Sequence, residues 1–438
     1  MHPRKVAPKP ALKPADRRPS SVHTLIKSDF AESRVAFWDS VTLFVFSLIF
    51  FLLNISFPKT KNFDEFHYIP SALQWIAGSE NQNWEHPPLA KILISLGIRL
   101  FGDVPLGWRF MSVVFGAITV VGMYRLAYEL FGKNRRAAWI CTGITVFNQL
   151  LYVQARIAML DTFMMGFLVW SLWGFVRAID PDVFDPRWIR LSGVFMGLAI
   201  ACKWFALVPY LMCGALLIAQ AVHLKSKNRV VDLVLYWAFV PALFYFATFM
   251  PYLWVNRNPP YTVLELLTSH QARMLDGQKR VVTAHPYMSQ FWDWIWLKRP
   301  IWYAFDKEGV DQKTVRGVLL LGNPLIMWGG LVAITAMVVR FLKTRGRTAF
   351  LILYFYFGFA LCWIVIPRKV AFYYYYYPAG MMLSLAWTYW LQKTKKNGIP
   401  IVAVAATFGV FFYFFPILSA MPIKGETFVD WMWLQSWI

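Results

Sequence analysis

The chain has 438 residues, of which 58% are hydrophobic and 18% aromatic, and its formal net charge is +21. Length alone would suggest about two or three soluble domains, but the positive mean hydropathy excludes an ordinary soluble protein. The basic residues recur in short segments between apolar runs, so the charge is a topology signal rather than a nucleic-acid-binding surface.

The N-terminal residues 1–34 are rich in Pro, Lys, Arg and Ser and lack apolar periodicity. This composition predicts a disordered basic cytoplasmic tail that lies against anionic lipid headgroups. No apolar segment follows the first charges, so the tail is not expected to be a cleavable signal peptide. Residues 35–438 are predicted to form a single transmembrane domain.

Apolar runs long enough to cross a bilayer recur from this point to the C-terminus. Because backbone polar groups in lipid must be satisfied within helices, we predict an all-α polytopic membrane protein with about eleven transmembrane helices. The predicted spans are residues 38–58, 107–130, 137–155, 158–178, 190–203, 205–222, 233–252, 317–340, 348–366, 371–391 and 399–418.

The short basic loops set the predicted orientation. If the N-terminus is cytoplasmic, all of them lie inside, as the positive-inside rule requires. These loops are residues 133–136, 187–190, 225–229, 340–347 and 393–396. The two large loops, 59–106 and 253–316, then face the outside.

The first external loop contains the strongest functional signal. Residues 63–68 read Phe-Asp-Glu-Phe-His-Tyr, and residues 85–91 read Glu-His-Pro-Pro-Leu-Ala-Lys. Charged groups clustered at a membrane surface are costly unless they have a function, so this loop is predicted to be catalytic. Residues 89–101 place apolar side chains at helical spacing, which predicts an interfacial helix that starts after two prolines.

Other external segments are predicted to complete the site. Cations that hold a lipid phosphate, combined with a carboxylate that takes a proton, would suit a lipid-phosphate substrate. Arg156 is the leading phosphate ligand, because an Arg at the mouth of a span is costly and its fork matches phosphate. Asp161 would orient it. The further predicted phosphate ligands are Lys203, Arg368 and Lys369.

Less specialised interpretations of the same residues remain open. In one alternative, Arg156 and Asp161 form a structural ion pair between helices. In another, Lys203 only extends its ammonium group to the membrane surface. The possible lining residues are His67, His86, Lys91, His270 and His285. They show no compact ligand spacing, so no metal is predicted, and anion binding explains the charges without one.

Taken in chain order, these motifs resemble those of the protein O-mannosyltransferases, integral-membrane glycosyltransferases of the C-type fold. The resemblance rests on residues 63–68, 85–91, 107–109, 155–161, 202–204, 285–287 and 322–324. Eukaryotic members carry a β-trefoil module in the second large external loop. Here that loop, 253–316, is too short to hold one, so the chain is similar to a prokaryotic member.

The resemblance implies inverting transfer of mannose from polyprenyl-phosphate-mannose to Ser or Thr hydroxyls of secreted or membrane proteins, at the external face of a bacterial inner membrane. Asp64 would be the base, Glu65 would hold Asp64 or the acceptor, and the cations would help the lipid phosphate to leave. No cofactor is predicted, with a divalent metal kept as the less favoured alternative, and the oligomeric state is left open.

Two other functions remain possible. A related transferase would use lipid A or another glycan as the acceptor. A transporter for a lipid-linked sugar is disfavoured, because the polar groups crowd one membrane face and no internal repeat is visible.

Overall fold

The computed structural model describes residues 22–179, 185–224, 227–280, 283–308, 313–366, 368–396 and 398–438. Helix α1 spans Val22–Leu52. Residues 22–34 are therefore helical, which corrects the prediction of a disordered tail over 1–34. The rest of that predicted tail, 1–21, lies outside the described residues, as does 225–226 of one predicted basic loop.

Three helices follow in the first external segment and the next span. They are α2 (Glu65–Ala77), α3 (Leu89–Phe101) and α4 (Pro105–Leu130). The helix predicted over 89–101 is confirmed, and Pro88 stands at its N-cap. Helices α3 and α4 approach closely, since a Cβ at Gly97 would lie 2.5 Å from the carbonyl oxygen of Gly107. This contact fixes the external segment on the membrane domain.

The central part of the chain is a series of helices with short connections. They are α5 (Arg135–Val146), α6 (Gln149–Gln154), α7 (Leu160–Ala178), α8 (Pro186–Cys202), α9 (Leu207–Leu224), α10 (Lys227–Asp232) and α11 (Val240–Ala247). The predicted span 137–155 is interrupted, because the Asn148 side chain accepts from the N–H of Leu150 and starts a new helix. A π-helical segment, Leu233–Phe239, joins α10 to α11.

The second external loop holds three short helices and most of a small sheet. The helices are α12 (Val263–Leu267), α13 (Ser269–Lys279) and α14 (Phe291–Ile295). The strands are β1 (Ile301–Glu308), β2 (Thr314–Leu320) and the C-terminal β3 (Ile423–Lys424), which pair antiparallel in that order. The all-helical prediction omitted this sheet. Its register shifts between Trp302 and Ala304, which leaves Tyr303 as an extra residue at a β-bulge.

Four further helices complete the membrane domain. They are α15 (Pro324–Thr344), α16 (Arg347–Leu361), α17 (Tyr377–Leu391) and α18 (Gly398–Leu418). Helix α15 begins later than the predicted span 317–340, because Asn323 caps it by accepting from the N–H groups of Leu325 and Ile326. A 3₁₀ turn, Tyr373–Tyr376, similarly delays the start of α17.

The mostly helical membrane fold is confirmed. Within the described ranges, seven helical segments are long and apolar enough to cross a bilayer. They are Arg34–Leu52, Pro105–Leu130, Trp204–His223, Val230–Trp254, Pro324–Thr344, Arg347–Ile364 and Gly398–Leu418. The remaining predicted spans correspond to shorter or less apolar helices, so the number eleven stays a prediction. The chain is an integral membrane protein.

Candidate active site

The adjacent carboxylates Asp64 and Glu65 have different surroundings at the start of α2. Glu65 is fully buried and accepts two hydrogen bonds of 2.9 Å from Arg109, in the first turn of α4. It also accepts from the backbone N–H groups of Asn62 and Ala158, at 2.9 and 3.0 Å. Because four donors occupy the Glu65 carboxylate, it is not free to take a proton and instead fixes the backbone on both sides of the site.

Arg109 is the residue that the sequence analysis missed as part of this arrangement. Its remaining N–H groups donate to the carbonyl oxygens of Ile55, Pro58 and Thr60, at 2.8–3.2 Å. The guanidinium therefore holds the segment that leads from α1 to Asp64. An Arg in the first turn of an apolar helix was the signal that could have revealed it.

Asp64 keeps most of its hydrogen-bonding capacity. Its carboxylate is half-buried and accepts one bond of 3.1 Å from the Tyr68 hydroxyl. Burial raises the pKa of the Asp64 carboxyl above its usual value, while the nearby Lys203 and His67 act in the opposite direction. A carboxylate with a raised pKa, free lone pairs and a cation nearby is suited to accept a proton.

Lys203 and Asp161 form the second charged element near Asp64. The Lys203 ammonium donates to both Asp161 carboxylate oxygens, at 2.7 and 2.8 Å, and both side chains are buried. Lys203 stands at the end of α8, where the backbone becomes extended, and Asp161 lies in the first turn of α7. The predicted pairing of Asp161 with Arg156 is therefore wrong.

Arg156 makes contacts of a different kind. Its guanidinium donates to the carbonyl oxygens of Phe51, Leu53 and Asn54, around the end of α1, with distances of 3.0 Å for Phe51 and 3.1 Å for Asn54. Its guanidinium carbon also lies 4.9 Å from the centre of the Tyr152 ring. These contacts use three of the five guanidinium N–H groups and close the C-terminal end of α1. The role of Arg156 as a phosphate ligand stays a prediction.

A cavity of about 360 Å³ opens beside Lys203. Its polar end contains the cations Lys203 and Arg368, together with Glu85, His86, Gln278 and Tyr375. Its apolar wall is formed by Trp204, Phe205, Leu207, Val208, Leu211, Trp363 and Ile366. Two cations at one end and aromatic and aliphatic side chains along the rest suit a molecule with an anionic head and an apolar tail.

Gln278 connects three external segments at the polar end. Its amide oxygen accepts from Arg368 at 2.9 Å, and its amide nitrogen donates to the carbonyl oxygen of Glu85 at 2.9 Å. The sequence analysis did not select this residue, since a lone Gln in a loop carries no signal. Lys369, next to Arg368, is exposed and is not among the described residues that line this cavity. Its role as a phosphate ligand therefore stays a prediction.

His86 and Lys91 have distinct roles at the cavity edge. Burial lowers the pKa of His86 well below its usual value, and the cations Lys203 and Lys91 lower it further, which favours a neutral imidazole. The buried Lys91 ammonium donates to the carbonyl oxygens of Asn83 and His86, the latter at 2.8 Å. Burial lowers the pKa of Lys91 to about 7. Lys91 therefore supports the loop that presents His86, rather than lining the cavity itself.

The other predicted histidines are dispersed. His67 is exposed and lies near Asp64. His285 packs its ring against Phe63, with 5.7 Å between ring centres, so it lies close to the site. His270 is buried among aromatic rings, including Tyr252 at 5.1 Å, and burial lowers its pKa to about 4. No group of three His, Cys, Asp or Glu side chains in the described ranges is placed to hold a metal ion.

Several buried polar groups near the carboxylates lack partners. The hydroxyls of Tyr303 and Tyr377 and the side-chain amide of Gln154 make no hydrogen bond within the described part of the chain. Tyr303 packs against Phe63, with ring centres 4.9 Å apart, and its hydroxyl lies near Gln154, Asp161 and Asp64. Buried polar groups are normally paired, so these are available to a ligand with several hydroxyls. The sequence analysis missed all three.

The structure thus brings together Asp64, Lys203, Asp161, His86 and Arg368, with His67 and His285 at the edge. A membrane fold with an acidic base candidate, two cations and an apolar groove defines an integral-membrane glycosyltransferase of the C-type fold.

Comparison with known proteins agrees with this class. Residues 41–108 and 85–254 match the family described as dolichyl-phosphate-mannose-protein mannosyltransferase, and residues 263–437 match the C-terminal four-transmembrane region of protein O-mannosyltransferase. The chain belongs to the protein O-mannosyltransferase family. The resemblance drawn from the motifs is therefore confirmed.

Relatives and solved structures support the same assignment. The polyprenol-phosphate-mannose–protein mannosyltransferase of Mycobacterium tuberculosis is 25% identical over 86% of this chain and 87% of its own length. The Corynebacterium glutamicum enzyme of that name is 26% identical over 86% and 88%. The donor-bound Pmt1–Pmt2 complex of S. cerevisiae has a TM-score of 0.75 at 15% identity, with 91% of this chain and 93% of the other covered.

The fold is also shared with an enzyme outside the family. ArnT from Cupriavidus metallidurans, bound to undecaprenyl phosphate, has a TM-score of 0.58 at 17% identity, over 86% of this chain and 65% of ArnT. At such identities the likeness concerns the fold alone.

Proposed function

We propose that this protein transfers mannose, with inversion, from polyprenyl-phosphate-mannose to Ser or Thr hydroxyl groups of secreted or membrane proteins. The observation that carries the proposal is that Asp64 lies near Lys203. Lys203 in turn lines the polar end of a cavity with an apolar wall. The names of the Mycobacterium tuberculosis and Corynebacterium glutamicum relatives describe the same donor and the same kind of acceptor.

Asp64 acts as the base in this proposal. Its carboxylate takes the proton of the acceptor hydroxyl while that oxygen attacks C1 of the mannosyl group. The bond between C1 and the phosphate oxygen breaks, and its electron pair leaves with the lipid phosphate. One displacement inverts C1, so a single base is sufficient. Glu65 does not compete for this role, because Arg109 and two backbone N–H groups occupy its oxygens.

Lys203 and Arg368 bind the donor phosphate. The leaving phosphate ends with about −1.5 to −2 charges as a monoester, so fixed cations stabilise it more as the bond breaks. Asp161 pairs with the Lys203 ammonium at 2.7 Å and fixes its position in a buried site. The neutral His86 imidazole at the same end of the cavity offers one further polar contact to the phosphate.

The polyprenyl chain follows the apolar wall toward the bilayer. Leu207 and Leu211 on α9 line the cavity and are 39% and 67% exposed, so the groove is continuous with a lipid-facing helix surface. The sugar hydroxyls lie on the other side of the phosphate, against Gln154, Tyr303 and Tyr377, whose buried polar groups lack partners among the described residues. This arrangement orders the donor as tail, phosphate and sugar, with the sugar next to Asp64.

In the proposed orientation, the active site faces the non-cytoplasmic side of the membrane. The basic segments 133–136 and 393–396 follow α4 and α17, whose opposite ends carry Arg109 and Tyr377. By the positive-inside rule, the ends next to the basic segments are cytoplasmic. A bacterial inner membrane with a periplasmic active site follows from this orientation together with the bacterial relatives.

The test is an assay with purified full-length protein, polyprenyl-phosphate-[¹⁴C]mannose and a Ser/Thr peptide in detergent, with the product analysed by mass spectrometry. We expect one hexose on a Ser or Thr of the peptide, an α or β linkage opposite to that of the donor, and the same rate with chelator. A parallel reaction offers lipid A in place of the peptide. Transfer to lipid A with none to any peptide would assign the protein to the alternative acceptor class.

A further inference from the structure

A second cavity lies at the other end of the membrane helices. It has a volume of about 690 Å³ and is formed where α4, α15 and α17 end and α16 begins. Arg109, which supports the active site, is in the first turn of α4, whereas Leu130, at its last residue, lines this cavity. The two positions are about 30 Å apart along the helix, at 1.5 Å per residue. The cavity is therefore separate from the donor site.

The lining of this cavity is strongly basic. Among the described residues, its charged side chains are Lys133, Arg340, Arg347 and Lys393 against Glu129, which is itself 3.9 Å from Arg177. The four cations come from three separate parts of the chain, since Arg340 and Arg347 flank one turn between helices. The positive-inside rule requires basic residues on this face but does not require them to surround one concavity. Like charges brought together by tertiary structure favour an anionic occupant.

The start of α16 adds backbone donors to the same cavity. Gly346 is the N-cap and offers no side chain, and the first helical hydrogen bond runs from the N–H of Phe350 to the Gly346 carbonyl. The N–H groups of Thr348 and Ala349 thus have no partner within the helix. Both residues line the cavity. A phosphate placed there would meet both side-chain cations and helix N-terminal N–H groups.

The apolar surroundings indicate that the phosphate belongs to a lipid. Phe131 and Tyr389 line the cavity, and Val339 and Leu342 lie beside Arg340 on α15, 52% and 60% exposed. Acyl chains could run along this lipid-facing side of α15 while the headgroup occupies the basic cavity. We propose that this cavity binds the phosphate headgroup of an anionic membrane lipid, on the membrane face opposite Asp64.

The experiment uses full-length protein and a variant with two cavity cations removed, Arg340→Gln/Lys393→Gln. The matched control, Lys395→Gln/Lys396→Gln, removes the same charge from the same face, at positions that do not line the cavity. Bound phosphatidylglycerol is counted by native mass spectrometry during a titration, with phosphatidylcholine as the neutral comparison. Mannosyl transfer by each variant in detergent confirms that it is folded.

We expect affinity for phosphatidylglycerol to fall about tenfold or more in the cavity variant and less than about twofold in the control, since each cation near a lipid surface contributes appreciably. Phosphatidylcholine should bind weakly to all three proteins. Equal losses in both variants, or none, would overturn the proposal. Inorganic phosphate is added as a competitor: displacement of the lipid by phosphate at equal concentration would show a soluble-anion site and overturn the lipid assignment.

Discussion

Arg109 donates two hydrogen bonds of 2.9 Å to the carboxylate of Glu65, and both side chains are fully buried. The pair joins the first turn of α4 to the first turn of α2, immediately after Asp64. Adjacent side chains at a helix start point in different directions, so anchoring Glu65 inward leaves Asp64 directed toward Lys203. The ion pair thus positions the proposed base without touching the substrate.

The ion pair leads to a prediction about stability. We expect Glu65→Gln to lower the free energy of unfolding by about 3–5 kcal/mol, because the buried Arg109 would lose its counter-charge. Thermal unfolding of the purified protein, followed by tryptophan fluorescence, measures the change. The control is Glu80→Gln, a 50% exposed carboxylate of the same external loop. If both variants unfolded at the wild-type temperature, the structural role of Glu65 would be contradicted.

Substitution of Asp64 should impair catalysis without lowering stability. We expect Asp64→Asn to reduce kcat by about 10²–10⁴-fold, because the amide cannot take the hydroxyl proton. Its unfolding temperature should stay at or above that of the wild type, since the substitution removes a desolvated charge. Donor binding, measured by retention of radiolabelled polyprenyl-phosphate-mannose, should change little. Turnover within about tenfold of the wild type would rule out Asp64 as the base.

The pH dependence of transfer should report the same carboxylate. A base works only when it is deprotonated, so kcat/KM rises with pH and is lost as the pH falls through the pKa of Asp64. Burial raises this pKa above its usual value of 3.8, which moves the acid limb to higher pH than an exposed aspartate would give. A peptide without titratable side chains isolates the enzyme's contribution. The residual activity of Asp64→Asn should lack this limb, and an unchanged limb in that variant would assign it to another group.

Much of the membrane fold could be predicted from hydropathy, because a bilayer forces long apolar runs into helices. The helix at 89–101 was predicted with its observed bounds, since its apolar spacing and the preceding prolines both carry local information. The strand at Thr314–Leu320 was absorbed into the predicted span 317–340, because a short apolar strand directly before a span extends the same hydropathy signal. The Asn323-Pro324 pair was the available boundary signal.

The choice of partners within the site could not be predicted. The five-residue spacing of Arg156 and Asp161 predicted that these two side chains interact. Asp161 instead pairs with Lys203, 42 positions further along the chain. Such contacts depend on how α7 and α8 pack, which local spacing does not encode. The role of Tyr303 depends on a β-bulge that displaces one residue, and no residue type marks that position in advance.

Kinetic measurements can distinguish binding of the donor phosphate from a structural role for Arg156 and Lys203. Lys203→Gln should raise KM for the donor by about tenfold or more, because a charge-assisted phosphate contact is worth roughly 1.5–3 kcal/mol. This single variant also leaves Asp161 without its partner and should lose stability. The double variant Lys203→Gln/Asp161→Asn removes both charges, so it should regain stability while KM for the donor stays high.

Arg156→Gln should affect stability more than donor binding. Its guanidinium bonds only backbone carbonyl oxygens among the described contacts, so its loss should lower the unfolding temperature and leave KM for the donor within about twofold. The two measurements are made on the same protein preparations as the Lys203 series. A large rise in KM for the donor at normal stability would show that Arg156 binds the phosphate.

The partnerless hydroxyl of Tyr303 provides a test of sugar recognition. Tyr303→Phe keeps the ring that packs against Phe63 at 4.9 Å between ring centres. It removes only the hydroxyl, which has no hydrogen-bond partner in the described structure. Stability should therefore be unchanged or slightly improved. If the hydroxyl binds the mannosyl group, kcat/KM should fall by about 5- to 10-fold, as for one lost neutral hydrogen bond. Tyr413→Phe is the control for loss of a tyrosine hydroxyl elsewhere. Tyr413 lies in α18, and its hydroxyl donates to the Asp430 carbonyl oxygen.

A donor that carries glucose instead of mannose makes the test of Tyr303 more specific. The ratio of kcat/KM for the mannose donor to kcat/KM for the glucose donor should shrink in Tyr303→Phe and stay constant in Tyr413→Phe. Equal ratios in all three proteins would exclude Tyr303 from sugar discrimination.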